Sequence, residues 1–104
     1  MANFYTDHPE IKFNLESSPL MNRIVELREN GFANEEKSDY APANYADAID
    51  NYNRVCELAG DIVSNVIAPN AEAVDAEGPH CENGRVRYAS KTYENLEATV
   101  KAGL

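Results

Sequence analysis

Residues 44–69 read NYADAIDNYNRVCELAGDIVSNVIAP, and this stretch decides the fold. Asn44 has the side chain to cap a helix, because its amide oxygen can accept one of the first backbone N–H groups that lack an intrahelical partner. Tyr45, Ile49, Tyr52, Cys56, Ala59, Val63 and Val66 then step by four and three, the spacing of a heptad seam. Ala48, Val55 and Ile62 make a second apolar row beside the first, and Asp47, Asp50, Asn51, Arg54, Glu57 and Asp61 fill the opposite side. The pattern predicts one long amphipathic helix with a broad apolar face. Pro69 has no N–H and crowds the carbonyl four residues earlier, so a kink is expected near it. Helix should resume over 70–76 and stop near Gly78-Pro79.

Outward from this helix the other elements are short. Pro9 can open a turn or two of helix with Asp7 or His8 ahead of it. Ser17 or Ser18 and Pro19 suit a helix start, Leu20, Ile24 and Leu27 keep helical spacing, and Asn30-Gly31 is a stop, which predicts a helix over 19–30. Residues 31–44 have no period and read as a long loop. In His80–Tyr88, Asn83-Gly84 is a type I′ turn pair and Val86 and Tyr88 alternate with Arg85 and Arg87, which predicts a small β-hairpin at 80–88. Ser90 or Thr92 then caps a last helix carrying Tyr93, Leu96 and Val100. Gly103 stops it, with Leu104 placed to fold back as the apolar residue of a Schellman motif. The expectation is an all-α chain with one hairpin, a single helical segment over 1–104.

Charge excludes several functions. The chain has 104 residues and a formal charge of −9, distributed as −4 over residues 1–44, −6 over 45–78 and +1 over 79–104. Such acidity opposes sequence-independent binding to nucleic acid or to anionic membranes. The six tyrosines are not interleaved with basic residues as a base-stacking platform requires. No apolar run is long enough for a transmembrane helix, and the first residues lack the basic and apolar regions of a secretory signal. Two cysteines, Cys56 and Cys81, do not make a disulfide framework, so a reducing cytoplasm is the expected compartment.

Candidate chemistry is sparse. His80-Cys81-Glu82 is the densest set of potential metal ligands, but neighbouring residues of a strand point to opposite faces. Asp47, Asp50, Glu57 and Asp61 lie opposite the apolar seam, and the Glu-x-x-His motif of a di-metal bundle is absent. Cys56 sits on the seam with no base at hand. No glycine-rich phosphate loop and no Ser-His-Asp pattern occurs. The seam itself is the distinctive feature. Its wide face outruns the two short helices available to cover it, which makes Tyr52, Cys56, Ala59, Val63 and Val66 an expected helix-packing and association surface, and a homo-oligomer the expected state.

The order of motifs carries a resemblance. Leu58 to Gly78 runs as a helix into Ile67-Ala68-Pro69, followed by a short helix ending in Asp75-Ala76-Glu77-Gly78. A further helix closes on Ala102-Gly103-Leu104. This resembles the opening of an acyl-CoA dehydrogenase, and Asn3-Phe4-Tyr5-Thr6-Asp7 with the insert Glu82-Asn83-Gly84-Arg85-Val86 is similar to a bacterial subgroup with an extended N-terminal segment. The likeness spans essentially the whole chain.

The resemblance implies the N-terminal helical domain of a larger FAD-dependent enzyme. Its parent would abstract the α-proton of an acyl-CoA with a carboxylate base and pass the β-hydride to flavin N5. Electrons would then go to an electron-transfer flavoprotein. The family's catalytic carboxylate and main FAD contacts lie in later parts of its chain, so no position here takes those roles. Pro69 and Asp75–Gly78 match as structural positions only. The chain alone is then expected to be a scaffold without chemistry or flavin, cut in the middle of a fold after Gly103, its partners the rest of the parent chain. The rival reading is a free-standing acidic helical adaptor that offers a groove to a partner helix. A small metal- or haem-binding protein comes third, for want of ligands.

Overall fold

The computed structural model describes residues 2–104, which are mostly helical with one two-stranded antiparallel hairpin. In chain order come α1 (Pro9–Ser17), α2 (Met21–Arg28), α3 (Tyr45–Ile62), a π-turn (Val63–Ile67), α4 (Ala68–Glu77), β1 (His80–Glu82), β2 (Arg85–Arg87) and α5 (Ser90–Lys101). Two compact units result: His8–Cys56, and Glu57–Leu104 with the N-terminal residues up to Asp7.

In the first unit, Pro9 takes the opening position of α1, where its missing N–H costs nothing. The second helix starts later than the sequence suggests. Pro19 and Leu20 form a turn ahead of it, in which Ser18 Oγ accepts the Leu20 N–H at 3.3 Å. Its stop is as expected but wider, because Asn30, Gly31 and Phe32 all take positive φ (52°, 62° and 64°). The segment between α2 and α3 holds two short 3-10 turns, Asn30–Phe32 and Glu35–Lys37. Asn44 caps α3 as its side chain allows: Asn44 Oδ1 accepts the Asp47 N–H at 2.9 Å, and the Asp47 carboxylate accepts the Ala43 N–H at 3.0 Å. This is close to a reciprocal capping box. Two side chains of α3 tie it to the preceding helices. The Tyr52 hydroxyl donates to the Glu29 carboxylate, and Asn53 Nδ2 donates to Glu16 Oε1 at 2.9 Å. Val25 and Ala48 are the apolar side chains fully withdrawn from solvent in this unit.

In the second unit, helical structure runs from α3 into α4 through the π-turn. The kink expected near Pro69 is not borne out: Ile67 and Ala68 keep right-handed helical dihedrals, a wide turn lies just ahead of the proline, and α4 begins at Ala68 rather than 70. The Ala68 N–H reaches five residues back to the Val63 carbonyl. Widening the turn before a proline relieves the crowding of its ring against the preceding turn and re-pairs backbone groups that a strict α-helix would orphan. Gly78, at φ 64°, ends α4.

Hairpin and last helix follow the sequence closely. Asn83 and Gly84 have φ of 51° and 74°, as a type I′ turn requires, and the register pairs His80 with Arg87, Cys81 with Val86 and Glu82 with Arg85. The cap of α5 differs from expectation. Ser90 is its first residue, and the Glu77 side chain caps it from the end of α4, accepting the Ser90 N–H at 2.6 Å and the Ser90 hydroxyl at 2.9 Å. A carboxylate at a helix N-terminus also gains from the macrodipole. Asn70 Nδ2 donates to Asn95 Oδ1 at 2.7 Å, a second link between α4 and α5. At the far end the Leu104 N–H bonds the Thr99 carbonyl and the Gly103 N–H bonds that of Val100, which completes the Schellman motif.

The N-terminal segment belongs to this unit. Asn3 organises it: its Oδ1 accepts the N–H groups of Tyr5 and Thr6 at 3.0 and 3.1 Å, and its Nδ2 donates to the Glu57 carbonyl at 2.9 Å. The Phe4 N–H bonds the Gly60 carbonyl at 3.0 Å, and the Tyr5 ring is buried. Gly60 is what permits this approach. A Cβ there would lie 2.6 Å from Tyr5 N and 2.8 Å from Tyr5 Cβ, and would also strike Asn3 Oδ1.

Candidate functional site

The five seam residues are all half-buried and fall in both units. Tyr52 and Cys56 belong to the first, and Ala59, Val63 and Val66 to the second. Tyr52 is committed within its own unit through Glu29. Partial burial, the hydrogen bond to Glu29 and that carboxylate's negative charge together push its hydroxyl up to about 12.

Ala59 and Val63 enter a recess of about 220 Å³ whose other walls are Ile62, Ile67, Thr99 and Leu104. Each element contributes for a traceable reason. The π-turn carries more than four residues per turn, so the next position in line after Val63 is Ile67 rather than Val66. The Schellman closure folds Leu104 back towards the last turn of α5, next to Thr99. Ile67, Thr99 and Leu104 are the lining residues that seam spacing alone misses. The Ala-Pro step was the available signal for Ile67, since a proline inside a helical pattern warns that the register ahead of it can slip.

The chemistry of this recess is narrow. No lining side chain is titratable, and the single hydroxyl, Thr99 Oγ, already donates to the Asn95 carbonyl at 2.9 Å. It can hold an apolar group, and it offers neither nucleophile nor base. A flavin dinucleotide does not fit, for the recess is below the usual size of a cofactor pocket and presents no cation to a pyrophosphate.

The other candidate ligands are placed apart or already occupied. Asp47 serves as a cap, Asp50 pairs with Arg54 at 2.8 Å, and Asp61 accepts from Asn65 Nδ2 at 2.8 Å. His80 and Cys81 alternate across the hairpin, Cys56 and Cys81 are free thiols, and no group of three His, Cys, Asp or Glu among the described residues could hold a metal. No helix among them is long and apolar enough to cross a membrane.

Fold and site thus define a small acidic helical chain with a hairpin and an apolar recess. No family model matches it, and no curated protein or solved structure is significantly similar.

Proposed function

We propose that this chain is the N-terminal helical part of an FAD-dependent acyl-CoA dehydrogenase and serves there as scaffold. The observation that carries the proposal is the unsatisfied apolar surface of α5. Tyr93, Leu96 and Val100 repeat at helical spacing, and Leu96 and Val100 remain 54% and 70% exposed. A row of this kind is a packing face that needs more protein against it. The motif order supports the family. The Ile67-Ala68-Pro69 step, the Asp75–Gly78 run and the Ala102-Gly103-Leu104 closure follow one another in the sequence in the order the resemblance implies.

On this reading the catalytic carboxylate, the FAD contacts and the docking site for an electron-transfer flavoprotein belong to the rest of the parent chain. The π-turn ahead of Pro69 would set the direction of α4 within the helical domain. The compartment is the cytoplasm. The test is to purify the native gene product and measure bound flavin and the reduction of an artificial electron acceptor by acyl-CoA thioesters. Flavin and acyl-CoA-dependent reduction are expected. A colourless, inactive product overturns the proposal and makes the helical adaptor the better account.

A further inference from the structure

All six strand residues of the hairpin are exposed, so neither of its faces is covered. A hairpin of three-residue strands is marginal alone and gains from a neighbour. Its two edges are not equivalent. With a two-residue turn, the flanking pair Glu82–Arg85 is hydrogen-bonded, and pairs alternate from there. The N–H and C=O of Cys81 therefore point away from β2, and those of Val86 point away from β1.

We infer that β1 is a docking edge for a second copy of this chain, paired antiparallel about Cys81 into a four-stranded sheet. Charge selects this edge. Centring β1 on its own copy sets His80 opposite Glu82 of the second copy, and Glu82 opposite its His80. An imidazole N–H donates to a carboxylate in either protonation state. Pairing through β2 instead would oppose Arg85 and Arg87 twice, which like charges disfavour. The β1 pairing also aligns Val86 and Cys81 with their copies as one apolar row across four strands. Residues 79–104 carry +1 in a chain of −9, so two copies repel least when they meet through this segment. The inference stands apart from the flavoenzyme reading.

Cys81 reports the pairing. Facing residues of a hydrogen-bonded antiparallel pair lie about 5.5 Å apart at Cα, within the range a disulfide spans. Equal amounts of unlabelled and isotope-labelled native gene product would be incubated with glutathione disulfide and mapped by mass spectrometry without reduction. Two Cys81 thiols lose two protons and two electrons, one S–S bond forms, and the oxidant leaves as two glutathione thiols. The expected product is a mixed-isotope Cys81–Cys81 peptide. His80→Glu should cut its yield about fivefold by setting carboxylates against carboxylates. That variant places a carboxylate opposite Arg87 of its own hairpin, so the hairpin itself is kept. In Cys81→Ser with Val86→Cys, the new thiols stand three strand spacings apart, about 14 Å, and should not cross-link. Cys81 found only as a glutathione adduct, an unchanged yield in His80→Glu, or equal cross-linking from position 86 each overturns the inference.

Discussion

At the scale of single residues, Gly60 and Tyr52 hold more than their side chains suggest. Gly60 lets the backbone of residues 3–5 lie directly on α3. Gly60→Ala should free that segment, because the atoms it meets include the backbone and Cβ of Tyr5 rather than the tip of a flexible side chain. A loss of about 1–3 kcal/mol is expected, the usual cost of forcing atoms into a packed site. Denaturant melts give the loss, and faster proteolysis near Tyr5 would locate it. Unchanged values would mean the segment is not held through Gly60. Tyr52 gives a pH signature. Its pKa is raised in the fold, so its contribution to stability is complete below the ordinary tyrosine value of 10 and is lost as pH rises through about 12. Phenolate absorbance should show one late component near 12 that Tyr52→Phe removes, and that variant should be less stable at neutral pH by about 1 kcal/mol. A titration unaltered by Tyr52→Phe would contradict the Glu29 contact.

At the scale of elements, the caps and stops decide where helices begin and end. The Glu77 cap on α5 joins α4 to α5 across the hairpin, so Glu77→Ala should cost about 1 kcal/mol, the usual value of an N-cap. The loss should appear as faster amide exchange at the start of α5, and protection equal to wild type would show the cap to be idle. Local signals in this chain were readable from sequence where one residue dictates the backbone: Asn44 at the start of α3, Asn83-Gly84 in the turn, Gly103 at the Schellman stop. The features that escaped depend on partners distant in sequence. Glu77 lies 13 residues before the serine it caps, and the Asn3–Glu57 bond closes 54 residues. The π-turn escaped for another reason. A heptad count assumes constant pitch, whereas Pro69 alters the pitch ahead of itself, so the recess takes Ile67 where the count names Val66. Within the recess, Val63→Asp tests whether the apolar wall mediates association. If it does, the variant should lower the mass measured by light scattering in a self-associating sample. An unchanged mass would place the interface elsewhere.

At the scale of the whole molecule, the balance between buried and exposed apolar surface governs the functional account. Tyr5, Val25, Ala48, Ile62 and Ala89 are buried, while Leu20, Ile24, Leu27, Leu96 and Val100 stand more than half exposed. Helices held together by so little burial gain much of their stability from further contacts. The proposed scaffold role in a larger enzyme would supply those contacts. The intact mass of the native gene product in its source cell tests the claim most directly. The account predicts a mass several-fold above 11.5 kDa, with this sequence at its N-terminal end. A mass near 11.5 kDa would contradict it, for the apolar faces of α2 and α5 would then belong to a free-standing helical protein.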